Sequence, residues 1–277
     1  MTLREACLYG QKKLEAAGVP EASLDAWYLL EFVTGCKRSH YLAYPEELLL
    51  EEQEECFRKL TEKRAERIPL QQLTGEQEFM GLAFLVNEHV LIPRQDTEIL
   101  VEEALSLLHP GMRFLDLCTG SGCILLSLMH SCPGAEGWGS DLSAEALKVA
   151  DSNRKRLAPE ARLIQSDLFE HIEGDFELIV SNPPYIKSSV IPELMEEVRL
   201  HEPVLALDGH EDGLYFYRQI TGESCHHLKK DGWLLFEIGC DQGAEVSSIL
   251  ESQGFCDIEV IQDLAGLDRV VKGRYPG

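Results

Sequence analysis

From residue 113 onward, short apolar runs alternate with helix-like stretches, and this alternation constrains the fold more than any other feature of the chain. The runs are 113–117, 137–140, 162–165, 176–181, 233–238, 257–261 and 269–272. Strands that alternate with helices build a mostly parallel sheet covered on both faces. Right-handed crossovers then place the carboxyl ends of the strands along one edge, where ligands bind. The expected class is α/β.

The first part of the chain reads differently. Residues 3–17 suit a helix, Ser23 is expected to N-cap a second that runs through Val33, and Pro45 to open a third over 46–67. Nothing there alternates with period two. Between Ile68 and Leu91 the apolar residues Phe79, Leu82, Phe84, Val86 and Val90 are spaced by Gly81 and Asn87-Glu88, which predicts a β-hairpin. Residues 97–108 suit an amphipathic helix. The expected organisation is a helical domain over 1–67, a hairpin linker over 68–92 and an α/β domain over 93–277.

The 48 Asp and Glu against 25 Lys and Arg leave a net charge of −23. Phosphate neutralisation dominates nucleic-acid affinity, so this excess argues against nucleic acid as a direct substrate. Lys59, Lys63, Arg64 and Arg67 cluster, and they are read as a solvated helix face interleaved with Glu62 and Glu66. No apolar run reaches the roughly 18–20 residues of a membrane span. The charged start, Met1 to Lys13, lacks the apolar core of a signal peptide, so a cytoplasmic protein is expected. Nine cysteines without a Cys-x-x-Cys pair predict reduced thiols and no metal site. His226-His227 is read as a surface pair on a helix, with diverging side chains.

Phe114-Leu115-Asp116-Leu117 runs into Cys118-Thr119-Gly120-Ser121-Gly122 and then an apolar helix from Cys123. Strand, glycine turn and helix make a nucleotide-type cradle, because glycines let backbone N–H groups approach a ligand and the helix start offers unpaired donors. Asp141 ends the next strand about 20 residues on, where an acid meets ribose hydroxyls. Asp167 follows the third strand, as an acceptor for an adenine amino group or as an N-cap. NAD and S-adenosylmethionine both suit the pattern. NAD is disfavoured because Leu125 fills the place of the third glycine and there is no second mononucleotide-binding half.

The fourth strand runs into Asn182-Pro183-Pro184-Tyr185. Two prolines fix φ and remove two donors, and Asn182 is pushed towards an extended geometry. The segment presents two acceptors, the Asn182 side-chain oxygen and the Pro183 carbonyl, to the hydrogens of one planar –NH2 group. Tyr185 adds a ring face. An amide or exocyclic amine is a poor nucleophile because its lone pair is delocalised. Two acceptors can aim that lone pair at a sulfonium methyl and favour the charge that builds on nitrogen.

With these motifs the chain resembles class I S-adenosylmethionine-dependent methyltransferases. More narrowly, it resembles the peptide chain release factor N5-glutamine methyltransferases, the HemK/PrmC family. The resemblance is carried by Arg67-Ile68-Pro69-Leu70-Gln71, Val90-Leu91-Ile92-Pro93-Arg94, Asp96-Thr97-Glu98, the glycine turn, Ser166-Asp167-Leu168-Phe169, the Asn-Pro-Pro-Tyr segment, Glu202-Pro203 and Asp268-Arg269. It implies a Rossmann-like seven-stranded methyltransferase domain with a small N-terminal helical bundle for substrate docking and a hairpin linker. It also implies methylation of the glutamine amide in the Gly-Gly-Gln motif of bacterial class 1 release factors, with S-adenosylhomocysteine as product. By that analogy Cys118 to Gly122 cradle the cofactor, with Gly120 and Gly122 along its methionine part, Asp141 on the ribose and Asp167-Leu168 beside the adenine. Asn182 and Pro183 hold the substrate amide, Pro184 and Tyr185 complete the slot, and Arg94, Thr97 and Glu98 shape a lid. The chain departs from the family pattern at Cys118 and His210, where glycine is usual, at Gln95, usually proline, and at Gln72, usually aromatic.

The tetrapeptide also suits a flipped base, so a nucleic-acid amino-methyltransferase acting on adenine or guanine is the alternative in another class. A ribosomal-protein glutamine methyltransferase would share the chemistry and differ in docking. A non-catalytic binding module would need a cofactor pocket that no longer binds.

Overall fold

The computed structural model describes residues 1–277 and divides into two compact units. One comprises Met1–Glu76 with Met195–His201, the other Gln77–Leu194 with Glu202–Gly277.

The smaller unit is helical: α1 (Leu3–Ala16), α2 (Ala22–Thr34), α3 (Arg38–Ala43), α4 (Glu51–Ala65) and α5 (Leu70–Thr74), joined by the detached segment that carries Glu196–His201. Helix α1 opens with a capping box in which the Thr2 hydroxyl accepts from the Glu5 N–H at 3.2 Å and the Thr2 N–H donates to the Glu5 carboxylate at 2.9 Å. Its buried stripe is Leu3, Ala6, Gly10 and Leu14. Gly10 permits close packing, since a Cβ there would lie 2.9 Å from the Phe57 ring and 3.0 Å from Ala26.

Three expectations for this unit are corrected. Helix α2 starts at Ala22 with Glu21 before it and no side-chain cap, so Ser23 lies inside the helix. Pro45 opens no helix: Leu48 forms an antiparallel bridge with Thr2, and α4 begins only at Glu51. The basic cluster is not a uniformly solvated face. Lys59 and Lys63 are exposed, but Arg64 is buried. Its Nε donates to Asp25 at 2.7 Å and its Nη2 to Glu197 at 2.9 Å, while Arg67 donates twice to Glu197, at 2.8 and 2.5 Å. Helical spacing alone does not report a carboxylate supplied from a distant part of the chain.

The larger unit begins with a hairpin, β1 (Glu76–Phe79) and β2 (Leu82–Leu85), turned by Met80 and Gly81. Both have positive φ, 51° and 72°, as a two-residue turn matched to strand twist requires. Then follow α6 (Thr97–Leu107), β3 (Arg113–Leu117), α7 (Cys123–Ser131), β4 (Glu136–Asp141), α8 (Ala144–Leu157), β5 (Arg162–Gln165) and β6 (Phe176–Ser181). After the helix α9 (Glu196–His201), which belongs to the smaller unit, come α10 (Tyr215–Ser224), β7 (Leu228–Glu237), α11 (Gly243–Ser252), β8 (Cys256–Gln262) and β9 (Asp268–Arg274). The seven strands order as β5-β4-β3-β6-β7-β9-β8. All pairs are parallel except those of β9, which runs antiparallel to both neighbours. The expected α/β class with a mostly parallel seven-stranded sheet is what the structure has.

Side chains alternate between two cores. Phe114, Leu178 and Val180 face one layer, and Leu115, Leu117 and Ile179 the other. The register aligns the strand ends: Leu117 pairs with Ser140 and with Ser181, and Ser181 with Phe236. The residues that follow β3, β4 and β6 therefore meet at one edge. No helix is long and apolar enough to cross a membrane. All nine cysteines are free, and His226 and His227 lie in the turn after α10 rather than in a helix.

Arg64 neutralises two carboxylates in the smaller unit, so Arg64→Met should destabilise that unit by about 3–5 kcal/mol, the cost of stranding buried charge. Burial pushes the Glu197 carboxyl up, but the Arg67 and Arg64 hydrogen bonds outweigh it and hold it at about 2 against an ordinary 4.5. Burial outweighs Arg64 at Asp25, which is raised. A depressed carboxyl contributes stability that is present above about 4.5 and lost as the pH falls through about 2. Chemical denaturation across that window should show a shallower acid loss for Glu197→Gln than for the unsubstituted protein.

Candidate active site

The turn after β3 is held from below by a buried acid. Asp116 Oδ2 accepts from the Thr119 hydroxyl at 2.6 Å and from the Leu125 N–H at 3.2 Å. Burial raises its carboxyl to about 7 against these two hydrogen bonds, with Asp141 adding to the rise. The Thr119 N–H donates to the Ser140 carbonyl at 2.9 Å, which ties the turn to β4. Asn153 on α8, a residue the sequence did not single out, donates to the Ser121 carbonyl at 2.9 Å and exchanges hydrogen bonds with Leu85 of the hairpin.

The turn borders a cleft that is open to solvent, the concave kind of site in which small molecules bind. Cys118, Thr119, Gly120, Ser121, Asp141, Asp167, Leu168, Asn182 and Pro184 line it; Gly122, Pro183 and Tyr185 do not. Gly122 instead ends the turn at the start of α7, with φ of 81°. His89, Leu142, Leu205 and Phe216 also border the cleft. They are scattered between motifs and carry no pattern, so nothing in the sequence marked them.

Asp141 lines the cleft and is half-buried. Its Oδ2 accepts from the Gly120 N–H and its Oδ1 from the Ser143 N–H, both at 2.9 Å. Burial raises this carboxyl while the backbone donors oppose the rise. Each oxygen keeps a lone pair, so the group can still accept from two hydroxyls of a sugar. Asp167 is exposed, and only its backbone carbonyl takes part in a turn, accepting from the Glu170 N–H at 3.0 Å. Two of the departures from the family pattern have a backbone consequence. Cys118 has φ of 60° and His210 has φ of 68°, the left-handed region that glycine enters most easily. The His210 ring rests edge-on against Tyr215, with centroids 4.4 Å apart.

Beyond β6, Pro183 and Pro184 are buried and Asn182 is half-buried. The Asn182 Nδ2 makes a long hydrogen bond, 3.5 Å, to the hydroxyl of buried Thr97. With its nitrogen so engaged, the planar amide turns its oxygen the other way, where it can accept. The Tyr185 ring packs against the second core, and its hydroxyl donates to Glu237 at 3.3 Å. Burial foremost, with the charge of Glu237, raises the Tyr185 phenol well above its ordinary value. Beside the cleft, Arg94 donates to buried Glu202 at 2.5 Å.

An adenosyl cofactor suits these residues. The cleft walls are largely apolar, an acid with spare lone pairs is among the lining residues, and the buried Ser121 hydroxyl on the lining has no partner. A Cβ at Gly120 would meet nothing within 4 Å, so the cleft has room at the turn. Such a sheet takes its ligand along the carboxyl edge, and the class it defines is the class I S-adenosylmethionine-dependent methyltransferases.

Comparison with known proteins narrows the class. Residues 5–75 match the family described as the PrmC N-terminal domain, and residues 95–200 match the methyltransferase small domain. A release factor glutamine methyltransferase of Agrobacterium fabrum is 39% identical over 99% of this chain and 97% of its own length. One from Geobacter sulfurreducens is 42% identical over 99% and 96%. The chain belongs to the release factor glutamine methyltransferase family. A solved methyltransferase from Pyrococcus furiosus shares the fold, with a TM-score of 0.53 at 18% identity over 71% of this chain and 90% of that one.

Asp141→Ala removes both spare acceptors, and calorimetry with S-adenosylmethionine should show affinity reduced about 10- to 100-fold, the range of one or two hydrogen bonds to a charged group. Cys118→Val adds a β-branch at positive φ and should lower unfolding free energy by about 1–2 kcal/mol, whereas Cys118→Gly should not.

Proposed function

We propose that this protein transfers the methyl group of S-adenosylmethionine to the side-chain amide nitrogen of the glutamine in the Gly-Gly-Gln motif of class 1 peptide chain release factors. The observation that carries this reading is the orientation of Asn182. Its Nδ2 is engaged by Thr97 and its Oδ1 is left to accept, at the carboxyl edge beside the cleft. Membership of the family supports the choice of an amide over an amine, and of a release factor over other proteins.

When bound, the cofactor supplies an electrophilic methyl on a positively charged sulfur and leaves as neutral S-adenosylhomocysteine. The protein's part is placement. Asn182 Oδ1 and the Pro183 carbonyl take the two hydrogens of the substrate amide. Rotation about the C–N bond is thereby fixed and the nitrogen lone pair is aimed. As positive charge builds on nitrogen, both acceptors gain strength, so they favour the transition state over the bound amide, and the methylated nitrogen then gives up one proton to water. Buried Pro183 and Pro184 offer no donor that could compete for these acceptors. Tyr185 holds the far end of the segment through Glu237. Gly120 to Gly122, Asp141, Asp167 and Leu168 are assigned to the cofactor.

The helical unit, residues 1–67 above all, is assigned to docking the protein substrate. Its helix α2 exposes Leu24, Tyr28 and Phe32 at four-residue spacing. The net charge of −23 favours a basic partner, so added salt should raise KM more than it lowers kcat. A cytoplasmic location follows from such a substrate.

The test is mass spectrometry of a release factor incubated with protein and cofactor. The Gly-Gly-Gln peptide should gain one CH2, and Asn182→Ala should lose transfer by about 10²–10³-fold, the scale of one preorganised polar group, while keeping cofactor affinity. Transfer to bare DNA or ribosomal RNA, with none to the release factor, would replace this reading with the nucleic-acid one.

A further inference from the structure

A backbone segment is tied down by the hydrogen bonds of its own N–H and C=O groups. Pro183 and Pro184 have no N–H, and the Pro183 carbonyl is reserved for the substrate. What holds the Asn-Pro-Pro-Tyr segment must therefore act at its ends. The near end follows Ser181, which pairs with Leu117 and Phe236 in the sheet and donates its hydroxyl to the Leu117 carbonyl at 2.8 Å. The far end is Tyr185, and the side chain that holds its backbone is Gln242.

Gln242 is 6% exposed and does not border the cofactor cleft. It closes the turn after β7 and precedes the first residue of α11. Its side-chain oxygen accepts from the Gly239 N–H at 2.9 Å and lies 3.3 Å from the Tyr217 hydroxyl. A backbone N–H only donates, so the amide oxygen faces Gly239 and the –NH2 faces the other way. There Nε2 donates to the Tyr185 and Gly213 carbonyls, each at 3.2 Å. Both hydrogens of this buried amide are thereby used.

A second element presses on the same backbone. The Ile186 N–H donates to the Leu207 carbonyl at 3.0 Å, the Gly209 N–H to the Ile186 carbonyl at 2.8 Å and the Ser188 N–H to the His210 carbonyl at 3.0 Å. Residues 207–210 thus run beside 186–188 as a short parallel ladder. Gly209 and Gly213 make the approach possible. A Cβ at Gly209 would lie 2.7 Å from the Tyr185 Cα, and one at Gly213 would lie 2.5 Å from the Tyr185 carbonyl oxygen. Between the two anchors the chain has little freedom. The rings fix φ at 183 and 184, and a following proline pushes both Asn182 and Pro183 towards extended geometry. A displaced Tyr185 carbonyl therefore displaces the Pro183 carbonyl. We propose that Gln242 is a positioning residue, which pins the Tyr185 carbonyl and so sets the Pro183 carbonyl against the substrate amide. This deepens the function proposed above and rests on it for the identity of the substrate.

The experiment uses the full-length protein with Gln242→Met, which keeps an unbranched side chain but has no donor, and Gly209→Ala, which crowds the Tyr185 backbone. The quantities read are kcat and KM on a release factor, S-adenosylmethionine affinity by calorimetry, the melting temperature, and hydrogen exchange of the peptide 186–190 without substrate. Gln242→Met should lower kcat about 10- to 100-fold, the scale of a misplaced reacting group, with KM and cofactor affinity kept within about threefold. Exchange at 186–190 should speed by about 10-fold, the equivalent of one or two lost hydrogen bonds. Gly209→Ala should show the same pattern, and it decides alone if Gln242→Met does not fold. A residue that only closed the turn before α11 would instead speed exchange in 243–252 and lower the melting temperature, with kcat of the folded protein unchanged, and that result would overturn the proposal. So would unmoved exchange at 186–190, or a rise in KM with kcat kept. If the unsubstituted protein does not methylate the release factor, the functional reading fails, while exchange at 186–190, measured without substrate, still decides whether Gln242 holds the segment.

Discussion

The reversal of strand order between β3 and β6 is the constraint on which the rest depends. The chain builds outward from β3 through β4 to β5, then returns to lay β6 on the other side of β3. At that point the helices leave the sheet on opposite faces, and the carboxyl edge opens into a crevice. Because Leu117 is level with both Ser140 and Ser181, the glycine turn, Asp141 and Asn182 converge there. A register slip by one residue would turn each of these side chains to the other face.

Buried polar groups then fix the edge. Asp116 holds the turn through Thr119 and Leu125, Asp141 holds it through the Gly120 N–H, and Asn153 ties it to the hairpin. On the far side Gln242 donates to the Tyr185 and Gly213 carbonyls, each at 3.2 Å, and Glu237 takes the Tyr185 hydroxyl. Each group is costly to desolvate and is offset by the bonds it makes. The result is a rigid set of donors and acceptors that need not reorganise when charge develops on a bound amide. In the smaller unit, Arg64 and Arg67 play the same part for Glu197, on the segment that follows the Asn-Pro-Pro-Tyr loop in the chain.

Much of the α/β half was legible because period-two alternation and apolar runs are local signals. Three runs, 113–117, 162–165 and 176–181, agree with β3, β5 and β6 to the residue. The helical half was harder. Ser23 carries a capping side chain yet sits inside α2, and Pro45 suits a helix start yet leads into an extended bridge. Both are cases where packing overrode a local preference. Arg64 and Glu237 were missed as structural groups because their partners are remote: Arg64 meets Glu197 133 residues away, and Tyr185 meets Glu237 across 52. Tyr185 also shows a limit of motif reading. Its ring, expected as a face of the slot, packs into the second core with its hydroxyl on Glu237.

By itself, the sequence determined the α/β class, the strand-turn-helix cradle at Cys118 to Gly122, the acid at Asp141 and the donor-free segment at Asn182 to Tyr185. These rest on short-range physics: side-chain alternation, the φ freedom of glycine and the missing N–H of proline. Only the tertiary structure decided which strands are neighbours, that β9 runs backwards between β7 and β8, and which way the Asn182 amide faces. Those depend on contacts between residues far apart in the chain, where Thr97 and Glu237 meet the proline segment, and no local preference encodes them.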